Sequence, residues 1–113
     1  MQYALVAVDG DVEVIVSEEP TIEIDIISAH VAGEDETDAT FSAVFGEDVS
    51  LYFNDNGKII GLPVNPVATR FAHTHQLIAL EDFLVGNVLV FGGVDHVGWD
   101  KPVEDSAVEE LRN

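Results

Sequence analysis

Two histidines flank a threonine at His73–Thr74–His75, and an acid, an imidazole and an indole crowd together at Asp95, His96 and Trp99. The first pair invites a metal ion. Side chains at i and i+2 point the same way only on a strand. The neighbouring pattern predicts a helix, which sets them about 200° apart, with His75 on the apolar face and His73 toward solvent. Basic side chains at a helix end are favoured by the dipole, so a structural role suffices. Asp95 and His96 could be drawn as an acid–base pair, but adjacent residues of an extended chain face opposite ways. Trp99 on a glycine-bearing loop suits either partner contact or a lid on the core. The chain has no cysteine, and no serine occupies a nucleophile-elbow context. The runs "GKIIG" and "VFGGVD" lack phosphate-loop spacing.

The most abundant chemical groups are carboxylates. Asp and Glu number 22 against four Lys and Arg, a formal charge of −18. Lys58, Arg70, Lys101 and Arg112 cannot form a basic stripe, which argues against direct nucleic-acid binding and favours basic proteins as partners. Asp11 with Glu13, and Glu23 with Asp25, recur on alternate residues. On strands, such carboxylates lie about 6.8 Å apart. Each strand of duplex DNA carries a charge about every 3.4 Å. Two such rows on paired strands, with Glu34, Asp35, Glu36 and Asp38 nearby, would approach the charge density of one DNA strand. The plainer reading is a solvated acidic face kept soluble by repulsion.

These residues need elements to hold them. At 113 residues with 47% hydrophobic content, the chain fits one domain, 1–113, with a real core. No stretch is long and apolar enough for a membrane span. "MQYALVAVDGD" lacks a basic start and meets Asp9 early, unlike a secretion signal. The absence of cysteine mildly favours a cytoplasmic setting.

A hairpin of 2–8 with 11–17 is predicted around Asp9–Gly10, with Val12, Val14 and Val16 on one side. "TIEIDII" alternates again, predicting a strand with Ile22, Ile24 and Ile26 inward. The "GEDETD" run reads as a solvated loop, and Phe41–Phe45 fits a strand or a short helix. Val49–Phe53 reads as a strand, joined through "NDNG" to a second hairpin arm, "KIIGL". Pro63 ends that arm. Asn65 caps a helix whose first turn holds Pro66, with Val67, Ala68, Phe71 and Ala72 on one face. "LIALEDFLVG" fits a helix or a bulged strand, "NVLVFGG" a buried strand. Ser106 and Glu109 suggest a capping box for a helix at 107–112. The expectation is an α+β fold, mostly antiparallel sheet with one or two helices.

"YFNDNGKIIGLPVNPVAT", followed by "VGNVLVFGG", resembles the phage-associated family known as domain of unknown function 3846. The shared features fall on Tyr52, Asn54, Gly57, Gly61, Leu62, Pro63, Asn65, Ala68, Thr69, Gly86 and Asn87, within residues 49–93. The resemblance implies a bacteriophage or mobile-element context, usually in actinobacteria or their relatives. It implies no reaction and no catalytic residues.

The expectation is a non-enzymatic accessory protein in the host cytoplasm. It would bind a basic host protein, without cofactor or metal, through Asp11, Glu13, Glu23, Asp25, Glu34, Asp35, Glu36, Asp38 and Trp99. An acidic imitation of DNA is one form of this reading. The rival readings are a small-ligand or metal-binding protein using residues 95–99, and an acidic halophile protein. Only two lysines fit the halophile idea; the many large aliphatics do not.

Overall fold

The structure, a computed structural model, describes residues 1–36 and 39–113; the predicted partner residue Asp38 lies outside them. Eight elements follow one another: β1 (Gln2–Val6), β2 (Val12–Val16), α1 (Ile24–Val31), β3 (Phe41–Phe45), β4 (Ser50–Asn54), α2 (Pro66–Thr74), β5 (Val88–Phe91) and α3 (Asp105–Arg112). The strands form one antiparallel sheet in the order β2-β1-β5-β4-β3. The fold is α+β, with three helices where one or two were expected.

Two hairpins supply the outer strands. In the first, Ala7 N–H donates to Asp11 O, and Gly10 turns the chain at φ +94°. That left-handed conformation suits glycine, which explains the Asp9–Gly10 signal. In the second, Gly46 N–H donates to Val49 O at 2.7 Å, so β3 and β4 are joined through Glu47 and Asp48. The expected hairpin through "NDNG" into "KIIGL" does not form. β4 already has β3 on one edge and β5 on the other. Residues 55–61 instead make successive turns, leaving Ile59 85% exposed.

Strand alternation divides the core. Ala4, Val6, Leu51, Val88 and Val90 face α2 and α3, meeting Ala68, Phe71, Ala72, Val108 and Leu111. Tyr3, Tyr52, Leu89 and Phe91 face the other way and meet Ile27 and Val31 of α1. This overturns the strand predicted for "TIEIDII". The segment enters a helix at Ile24, where Ile27 and Val31, one turn apart, are buried. Ile24 and Ile26 are exposed, so the alternation of apolar residues did not report an inward face.

Asn65 joins the layers. Its side chain accepts from Ala68 N–H at 3.1 Å, capping α2, and donates to Val6 O at 3.0 Å and Gly86 O at 2.9 Å. Pro66 occupies the first turn, as expected. Residues 76–87 form neither helix nor strand. The last helix begins at Asp105 with Glu104 at the N-cap, and no side chain caps it. The Ser106–Glu109 capping box is therefore not used, since Ser106 already lies inside the helix.

Candidate functional site

The chain leaves β5 through Gly92 and Gly93 and returns alongside itself. Gly92 N–H donates to Lys101 O at 2.8 Å, Lys101 N–H to Gly93 O at 2.9 Å, and Val94 bridges Asp100. A Cβ at Gly92 would sit 2.0 Å from Pro102 O, so glycine alone fits this close approach. The result is a narrow arm closed by Asp95, which accepts from Val97 and Trp99 N–H at 3.0 Å each. These bonds, that of Trp99 first, hold the Asp95 carboxyl below its ordinary range. His96 adds a smaller pull in the same direction.

The arm is tied to the sheet at its base. Tyr52 Oη–H donates to both Asp100 carboxylate oxygens at 2.9 Å. Burial raises the Asp100 pKa, and the Tyr52 hydrogen bond opposes that shift only in part. Burial, then Asp100, pushes the Tyr52 phenol well above its ordinary value. Beyond this base stands Trp99, 58% exposed, with Val97 63% exposed beside it. Trp99 does not lid the core. The arm presents an indole and a valine to solvent, held by backbone hydrogen bonds.

The predicted carboxylates do not form two strand rows. Asp11 and Glu13 are exposed on the first hairpin, but Glu23 is the N-cap of α1 and Asp25 lies in its first turn. Helical residues at i and i+2 diverge, so the 6.8 Å spacing holds for one pair only. Acids at a helix start are favoured by its dipole. Glu34 and Asp35 are exposed in the turn that follows. Glu36 is partly withdrawn: it accepts from Gly33 N–H and from Asn54 Nδ2. Asp25 and Glu36 line a groove to which Trp99 does not contribute.

Nor do the histidines converge. His73 is half-buried, with Nε2 2.8 Å from Asp82 O, rather than solvent-facing. His75 packs at a tilt against Phe71, as its apolar-face position implied, and its Nε2 is 2.8 Å from Glu110 Oε2. Among the described residues, no group of three His, Asp or Glu side chains could hold a metal ion.

Sequence reasoning missed a groove of about 340 Å³ beside β3, where Val44, Phe53, Leu77, Ile78 and Phe83 line the wall. Lys58 spans its rim, paired with Asp82 and 4.4 Å from the Phe83 ring centroid. Lys58 lowers the Asp82 pKa through their hydrogen bond. Nothing in the sequence set Leu77, Ile78 and Phe83 apart, because "LIALEDFLVG" fits a helix or a bulged strand equally well. No helix among the described residues is long and apolar enough to cross a membrane. No family model matches this chain, nor does any curated protein or solved structure.

Proposed function

We propose that the protein is a non-enzymatic binding protein of a phage or mobile element, acting in the host cytoplasm on a host protein with a basic surface. The observation that carries this reading is the arm at 94–100. A tryptophan is costly to expose, and here five backbone and side-chain hydrogen bonds among Asp95, Val97, Trp99, Asp100 and Tyr52 hold the arm that carries it. Exposed aromatics held in this way are favoured anchors for protein partners. The surrounding charge of −18 selects a cationic surface. Three of the four Lys and Arg side chains are already engaged: Lys58 with Asp82, Arg112 with Val12 O, and Arg70 with Asn113 O. The phage context rests on the resemblance over residues 49–93.

Imitation of DNA is a narrower form of the proposal, and the divergence of Glu23 and Asp25 removes its geometric support. The general form needs a charged surface without a regular array. Affinity capture with the full chain from bacterial host lysate tests it. A genuine partner elutes as salt rises toward about 0.5 M, where screening falls to a few ångströms. Trp99→Ala weakens capture at least about tenfold. Reversing Glu23 and Asp25 to Lys weakens it more than reversing Glu109 and Glu110. Duplex DNA of unrelated sequence competes only if the partner binds DNA. A partner retained equally at high salt and indifferent to Trp99→Ala would sink the proposal.

A further inference from the structure

The sheet has two outer strands, and they differ in cover. On β2, Arg112 donates to Val12 O at 3.0 Å, α3 packs beside that end, and Glu13 places a charge in the strand, although among the described residues the outward groups of Val14 and Val16 stay open. On β3, the ladder to β4 includes Asp55 N–H to Thr40 O and Gly46 N–H to Val49 O. Antiparallel ladders alternate, so Ser42 and Val44 complete the inward set, and Phe41, Ala43 and Phe45 direct their backbone groups outward. Among the described residues, none of those outward groups has a hydrogen-bond partner. The strand itself, Phe-Ser-Ala-Val-Phe, carries no charge and no proline. Natural sheets usually blunt an open edge with such residues or with a bulge.

Both sides of this edge are hollowed. On the α2 side lies the groove of Val44, Phe53, Leu77 and Phe83. On the α1 side, where β3 begins, a second groove of about 500 Å³ is lined by Ala29, Ala32 and Ala39, with Asp25 and Glu36 in its wall. An added strand would place alternate side chains toward each. Carboxylates stand at both ends of the edge: Asp25, Glu36 and Asp55 where β3 begins, Glu47 and Asp48 just beyond Phe45. The nearest cation, Lys58, is committed to Asp82. A second copy pairing antiparallel about Ala43 would bring the acids at one end of its edge against those at the other. That arrangement repels.

We infer that β3 is a docking edge for an extended segment of another protein, with apolar residues alternating through its centre and Lys or Arg at both ends. This inference rests on the reading of the protein as a binder of basic partners. It names a surface and a mode which that reading does not, the addition of a strand to an open sheet.

The probe is an acetylated, amidated nonapeptide, Lys-Lys-Val-Thr-Val-Thr-Val-Lys-Lys, labelled with fluorescein and titrated with the intact protein by fluorescence anisotropy. Expected is saturable binding that slows hydrogen exchange at the Phe41, Ala43 and Phe45 amides. The same peptide with its four central nitrogens methylated binds at least about tenfold more weakly, as does a Glu-ended version. Ala43→Pro removes an outward N–H, a change edge strands tolerate, and causes a similar loss with the circular dichroism unchanged. If that variant unfolds, the methylated peptide decides the matter on the unaltered protein. No binding, equal binding of the methylated peptide, or exchange protection confined elsewhere overturns the inference. So does a concentration-dependent dimer in sedimentation that Ala43→Pro abolishes, because it assigns the edge to a second copy. Peptide binding at β3 without any salt-sensitive host partner would refute the proposed function and keep the edge. The reverse pattern would keep the function and refute the edge.

Discussion

Asn65 and Asp95 each accept backbone N–H groups a few residues downstream, and each starts a segment that sequence reasoning singled out. Their surroundings separate them. Asn65 is 0% exposed, and its amide also donates to Val6 O and Gly86 O, so every polar atom of the side chain is used inside the molecule. Asp95 closes an arm whose tip, Trp99, stands in solvent. The same local device therefore builds a joint in one place and a presented loop in the other. What distinguishes them is where the remaining hydrogen-bonding capacity and the neighbouring apolar surface end up.

The largest effect that tests the contrast is expected at Asn65. Asn65→Ala removes a cap worth about 0.5–2 kcal/mol and leaves the buried Gly86 carbonyl without its donor, at about 1–3 kcal/mol, while Val6 O keeps its bond in the β1–β5 ladder. The melting temperature should fall by roughly 10 °C or more. Binding of the partner, measured where the variant is still folded, should be unchanged. Lost binding at full stability would turn the joint into a recognition element and collapse the distinction.

Asn65 was legible because its role is local: a capping side chain, a proline at the next position and an apolar face at helical spacing. The first hairpin and β5 were legible for the same reason. α1 was not, because alternation in "TIEIDII" mimics a strand when Ile24 and Ile26 are left in solvent. Only tertiary contact with Tyr3, Tyr52 and Phe91 reveals that Ile27 and Val31 are the buried pair. The failed "KIIGL" arm teaches a related point. Nothing in those residues says that both edges of β4 are taken. As for the site, Trp99 was read as a possible anchor from its loop. The tie between Tyr52 and Asp100, 48 residues apart, has no signature in sequence, and neither does the groove beside β3.

The tie at the base of the arm is the next place to press. Tyr52→Phe leaves the half-buried Asp100 carboxylate without its donor and should cost about 1–3 kcal/mol, read by thermal melting. Asp100→Asn keeps an acceptor for Tyr52 and removes a poorly solvated charge, so at pH 7 it should melt at or above the wild-type temperature. The pH dependence has a definite sign. Burial raises the folded pKa of Asp100 above its ordinary 3.8, so between the two values the folded state holds more protons than the unfolded state. Acidification through that window stabilises the wild type at this site and leaves Asp100→Asn without the gain. The advantage of the variant should therefore shrink as pH falls. An advantage that persists below pH 4 would mean that the arm is held by something other than this pair.

A smaller effect is expected at Ser50. It is fully buried, and its Oγ has no hydrogen-bond partner among the described residues. Ser50→Ala removes a hydroxyl that contributes no bond, so stability should be unchanged or rise by up to about 1 kcal/mol. Denaturant unfolding checks it. A clear loss would mean that the hydroxyl has a bound water, and that this end of the sheet is wetter than the joint around Asn65.

The smallest change in stability, and the most telling for function, belongs to Asp95. Its carboxylate organises Val97 and Trp99 at the surface, where water can replace each hydrogen bond it makes. Asp95→Ala should leave the melting temperature close to that of the wild type, in contrast with Asn65→Ala. The arm remains anchored at Gly92, Val94 and Asp100, so its base stays in place while its tip loosens. Trp99 should then rotate more freely, seen as lower steady-state fluorescence anisotropy and faster quenching by acrylamide. If Trp99 anchors a partner, that partner should dissociate faster from the variant, because ordering the loop becomes part of the cost of binding. The association rate should change little, since the acidic field that steers encounter is nearly intact. A variant with a loosened tryptophan and unaltered dissociation would show that Trp99 is exposed without being used. Recognition would then fall to the open edge of β3.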